Sequence, residues 1–224
     1  MNSRERVLNT INHKPVDRVP IDLGMHSSTG ISAFAYHNLR EHLGLSTDNI
    51  EIIDMTQFTA RVDEDILQRF HCDCIALHPG YEKNYLWNPR GKYKFTIPHE
   101  AIPTKNSNKD WCVNHKGNMR MPENGYFFDG DWLTFEDDED IWIKRCARKA
   151  EQLYKETDYF TSFRGFNGFF KEADIEWQCR MITDPEDIIN ENTKKLKSQI
   201  LKAGKVIDSM GEYIQGICIG ADLG

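Results

Sequence analysis

Residues 17–30, DRVPIDLGMHSSTG, run from an apolar segment straight into a polar loop bounded by glycine. Val19, Pro20, Ile21 and Leu23 crowd the stretch Arg18 to Leu23 behind a helical segment, a pattern that predicts a buried strand. Met25 to Gly30 then sets His26, Ser27, Ser28 and Thr29 just past the strand's carboxyl end. In parallel α/β folds the loops after the strands converge on one face, and chemistry collects there. His26 is therefore the first candidate catalytic residue.

Working outward, Ser3 is placed to cap a helix through His13, with Val7, Leu8 and Ile11 on one face. Ile31, Phe34, Ala35 and Leu39 recur at helical spacing, with Gly44 as a stop. The segment 47–60 shows no clear period, but Val62, Ile66, Leu67 and Phe70 predict a short helix behind Asp63. It leads into a second strand, Asp73 to Leu77, ending in His78-Pro79-Gly80, so His78 matches His26 in position. Between residues 81 and 135 the period changes to alternation, at Lys92 to Ile97 and Trp111 to His115. Gly117-Asn118 reads as a hairpin turn, Met119 to Met121 follows, and Tyr126 to Phe128 reads as a further strand. This predicts an antiparallel insert whose aromatic residues either cover a pocket or build its own core.

Helical spacing returns from Ile143 to Tyr154 behind the acidic start Glu136 to Asp140. A third strand, Tyr159 to Phe163, exits through Arg164-Gly165-Phe166-Asn167-Gly168, and Phe169 to Trp177 continue as helix. Arg164, Phe166 and Asn167 are candidate substrate-binding residues of that exit loop. Asp184-Pro185-Glu186-Asp187 is a helix start for a helix to Met210, and Tyr213 to Ile219 is the fourth strand. Four such units in series imply a parallel sheet with right-handed crossovers. A (β/α)8 barrel takes about 250 residues, so the expected fold is the front half of such a barrel, with its first and fourth strands as edges open to self-association.

The 224 residues carry a net charge of −7, with 39% hydrophobic and 11% aromatic residues, as suits a globular protein. The sequence lacks both a basic run and a long apolar window. It argues against nucleic acid or membrane as partner, for a small-molecule ligand and for the cytoplasm. The six cysteines form no secreted disulfide pattern. In His71-Cys72-Asp73-Cys74 a strand would set the two thiols on one face and the other two side chains opposite. That favours buried cysteines over a metal site.

Three motifs carry a resemblance. MNSRERVLNTINHKPVDRVPIDLG resembles the opening "RERVLxALxHxxPDRVP" of the uroporphyrinogen decarboxylase superfamily. Thr183-Asp184-Pro185 is similar to that family's "xDPE" helix start, and ICIGADLG to its later "DDLG" strand end. The resemblance implies a TIM barrel with its active site at the strand ends, and it makes Asp222 a candidate catalytic residue. The true decarboxylases carry an arginine-bearing "RQAGRY" segment after the first strand and an "FSDI" aspartate after the second. Here Met25 to Gly30 and His78-Pro79-Gly80 stand in those places. The chain looks closer to the corrinoid-linked methyltransferase branch. That branch implies zinc and a corrinoid (methylcobalamin) carried on a partner protein, with metal ligands in an "HxC" segment beyond Gly224. The alternatives are a tetrapyrrole-metabolism carboxy-lyase, and a non-catalytic half-barrel that binds a ligand or partner.

Overall fold

The computed structural model describes residues 1–115, 117–131, 138–168 and 174–220. Helix α1 (Ser3–Ile11) is capped by Asn2 rather than Ser3. The Asn2 side chain accepts the Glu5 amide at 2.8 Å, and Glu5 Oε2 accepts the Asn2 amide at 3.1 Å, a reciprocal capping box. Helix α2 (Ala33–His42) follows as expected. The segment without a sequence period holds a tight antiparallel pair, β1 (Ile50–Asp54) and β2 (Thr59–Ala60), and α3 (Glu64–Arg69) comes next.

Next come β3 (Asn84–Trp87), β4 (Phe95–Pro98), β5 (Thr104–Lys105), β6 (Trp111–Asn114), β7 (Asn118–Met121) and β8 (Asp129–Gly130). They form two sheets, β2-β1-β4-β3 and β5-β6-β7-β8. The expectation of an antiparallel insert confined to residues 81–135 is thus corrected. The first sheet takes in β1 and β2 from upstream, and β1 runs parallel to β4, with Ile50 opposite Phe95. Asn114 pairs with Asn118, so the β6–β7 connection is residues 115–117 and Asn118 belongs to the strand. Tyr126 and Phe127 are exposed and lie in no strand, while Phe128 is buried.

The aromatic residues of this region build a core. Phe95 packs on Phe34 and Phe58 with ring centroids 5.1 and 5.2 Å apart, and Trp87 packs edge-on against Phe58 and Trp111. Edge-to-face pairs of this kind contribute roughly 0.5–1.5 kcal/mol each beyond area burial. Of the two roles open to these aromatics, packing is the one observed.

The second half holds α4 (Glu139–Glu156), β9 (Ser162–Asn167), α5 (Ile175–Thr183), α6 (Pro185–Met210) and β10 (Gly216–Gly220). β9 and β10 pair in parallel, and Cys74 makes a parallel bridge with Phe160. The Asp73 amide donates to Ile21 O at 2.7 Å, so residues 18–23, 72–75, 160–167 and 216–220 lie side by side in chain order. Among the described residues this array is open; no closed barrel forms.

Its first member departs from expectation. Val19 is 79% and Ile21 41% exposed, so 18–23 is neither buried nor a laddered strand. Asp73 gives the reason. Its carboxylate, fully buried, accepts the Ile21 amide at 2.9 Å and Arg18 Nη1 at 2.6 Å, and Arg6 Nη1 also donates to it. A side chain thus takes the place of a second ladder bond, and two arginines compensate the buried charge. Burial by itself would raise the Asp73 pKa. The bonds from Arg18, the Ile21 amide, Ser3 and Arg6 outweigh it and hold the carboxyl below the usual carboxylate range.

Candidate functional site

Residues 164–167 belong to strand β9, not to a loop after it. Gly165 sits at φ +144° and opens a bulge, because the register steps from Cys218 opposite Arg164 to Ile219 opposite Phe166. In a regular strand residues 163 and 166 would face opposite ways. With the extra residue, Phe163 and Phe166 both pack into the core beneath α4 and α6, beside Trp142, Val206 and Met210. Phe166 thus packs in this core.

Arg164 turns the other way. Its Nη2 donates to Asp54 Oδ2 at 3.2 Å; the arginine side chain is 45% exposed and the aspartate 6%. Asp54 ends β1, and its Oδ1 accepts the Thr56 and Gln57 amides at 3.0 and 2.9 Å, so the acceptor is fixed by its own turn. At this exposure the ion pair stabilises by about 1 kcal/mol or less. Its consequence is orientation, since one guanidinium donor is fixed and the others stay available.

His26 shares this neighbourhood. It precedes a single 3-10 turn, Ser27–Thr29, and its Nδ1 accepts the Ser28 amide at 3.1 Å. That bond puts the proton of the neutral ring on Nε2, leaving an N–H donor rather than a basic lone pair. Burial pulls the His26 pKa below its usual value and Arg164 adds to this, while Asp54 and Asp22 oppose it. Ser162 Oγ, two residues before Arg164, lies 3.1 Å from Cys218 Sγ and 3.7 Å from Met25 Sδ. The site thus joins the loop after residues 18–23, β9, β10 and the end of β1.

His78 belongs to a different cluster. Its ring is buried between Tyr81 and Trp142, and Nδ1 lies 3.2 Å from the Gly80 amide and 3.4 Å from Glu51 Oε1. The nitrogen accepts the amide when the ring is neutral and can donate to the carboxylate when it is protonated. Glu51 also holds Arg61 at 2.8 Å. Burial works to raise the Glu51 pKa, but His78 and Arg61 override it and hold it low. Asn167 ends β9 opposite Gly220, with its side chain outside what is described, and Asp222 lies outside the described residues.

Asp54 and Glu51 are the residues that sequence reasoning missed, since both lie in the segment without a period. The signal present was the alternation Ile50, Ile52, Asp54 against Glu51, Ile53, obscured because all but the acids are isoleucine.

A hollow of about 650 Å³ lies elsewhere. It sits where the strands begin, against α1 and the end of α4, and includes Arg6, Arg18 and Tyr159. Its arginines are committed to Asp17 and Asp73, so it presents satisfied ion pairs. Among the described residues no three His, Cys, Asp or Glu side chains are grouped to hold a metal, and burial pushes the Cys74 thiol up to about 12. No family model, curated protein or solved structure matches the chain. No described helix is long and apolar enough to cross a membrane.

Proposed function

We propose that the chain is a (β/α)8-barrel-type protein of the uroporphyrinogen decarboxylase superfamily, spanning about four βα units. In this reading it belongs to the corrinoid-linked methyltransferase-like branch and acts in the cytoplasm on a small molecule. The family and branch rest on the opening motif and on the absence of the decarboxylase arginine segment in Met25 to Gly30. The observation that carries the site is the Asp54-anchored Arg164 beside a neutral His26.

In this reading Arg164 binds an anionic group of the acceptor, and His26 Nε2–H is a second donor that orients it. A corrinoid on a partner protein supplies the methyl group. Among the described residues no side chains are grouped to hold zinc.

The test is incubation of the chain with methylcobalamin and a thiol acceptor, followed by the corrinoid spectrum. Thiol-dependent demethylation that falls by about 10–100-fold in Arg164→Gln supports the reading. Loss of carboxylate from a porphyrinogen acid, with methylcobalamin untouched, overturns it in favour of a carboxy-lyase. That second reading is favoured by the exposed guanidinium of Arg164, which suits an acid substrate equally well. Neither activity would leave a non-catalytic ligand- or partner-binding domain.

A further inference from the structure

A second hollow, of about 360 Å³, lies between helix α4 and the turn after His78, apart from the Asp54–Arg164 pair. Its lining is Pro79 together with Arg145, Arg148, Lys149 and Gln152. The four α4 residues follow the spacing i, i+3, i+4, i+7, so a single helix face carries three cations and an amide past the same turn. Among the described residues no carboxylate lines the hollow, in a chain whose net charge is −7.

Two of the cations are held in place. Arg145 Nη2 donates to Gly80 O at 2.7 Å, which fastens α4 to the turn, and Lys149 Nζ donates to the neutral Gln152 Oε1 at 3.1 Å. Arg148 is exposed, and among the described residues neither it nor Lys149 is in an ion pair. Lys149 acts on Glu51 through its field, and that carboxylate is already shared by Arg61 and His78.

We propose that this hollow is a binding site for the phosphate group of a small phosphomonoester. A carboxylate needs one bidentate arginine, whereas a tetrahedral dianion presents oxygens to several donors at once, as Arg145, Arg148 and Lys149 together supply. Arg145 and Lys149 set the walls, and Arg148, in no ion pair among the described residues, closes on the ligand. The proposal goes beyond the methyltransferase reading and does not depend on it.

The test is calorimetric titration of the whole chain with inorganic phosphate and with glycerol phosphate at low ionic strength, using acetate as the monovalent control. Saturable phosphate binding, weakened about tenfold by Arg148→Gln and again by Lys149→Gln, is the expected result. Both variants alter exposed or half-exposed side chains, and unchanged urea midpoints would show that they fold. Arg164→Gln should leave phosphate binding unaltered, which separates this site from the other. Binding to vesicles containing phosphatidic acid but not to free phosphate would overturn the proposal in favour of a lipid surface. Equal binding by the Arg148→Gln/Lys149→Gln double variant, or no saturable binding, would overturn it outright.

Discussion

At the scale of single residues, His26 and Arg164 are coupled through their fields. Arg164 lowers the His26 pKa while Asp54, its partner, raises it. Removing the guanidinium in Arg164→Gln deletes the lowering charge and frees the raising one, so both changes act in the same direction. The His26 midpoint, read from ring proton shifts by NMR, should lie below about 6.5 in the parent and rise in the variant. A midpoint that stayed put would show that burial alone sets it. The sign for stability follows. A histidine whose folded pKa is depressed costs nothing above about 6.5, and stability falls as pH drops through that value toward the folded one. His26 and Arg164 were legible in the sequence because each sits beside an apolar run next to glycine. Asp54 was not, because nothing in a lone acid after isoleucines says that its carboxylate will meet an arginine 110 residues away.

Among the elements, the long helices α4 and α6 were readable because acidic starts, Asp184-Pro185 and sustained periodicity agree. β9 was read too short, because Gly165 looks like a loop residue when it is a bulge inside a strand. The bulge sets which face Arg164 takes, and it needs a left-handed φ that side chains rarely adopt. A Cβ at position 165 would also stand 3.0 Å from Phe163 Cε1. Gly165→Ala should therefore cost about 1–3 kcal/mol, measured as a shift in urea midpoint. If the midpoint did not move, the strand would not depend on that backbone conformation. Residues 18–23 failed in the opposite direction. Their composition is that of a strand, yet the bonds that hold them come from the Asp73 side chain, which periodicity cannot reveal.

For the whole molecule, the two halves are unequal in how they cover apolar surface. The aromatic core around Phe34, Phe58 and Phe95 is closed, whereas α6 leaves Ile189, Leu196, Ile200 and Ile207 exposed, and Ile175 and Ile182 of α5 are bare as well. Apolar surface on this scale promotes association. Light scattering at increasing concentration should give a mass above the 26.1 kDa of one chain, and Ile200→Lys should weaken that association about tenfold. A constant monomer mass would exclude it. The Asp73 carboxylate has a further consequence, on hydrogen exchange. It holds the Ile21 amide by a group that can take up a proton, whereas the β9–β10 amides are held by carbonyls that cannot. The stability that Asp73 contributes is complete above its ordinary pKa of about 4 and is lost as pH falls through the lowered folded value. Below that point the Ile21 amide should open to solvent deuterium while the amides of β9 and β10 stay protected. The first segment of the array would then detach in acid, ahead of the strands it begins.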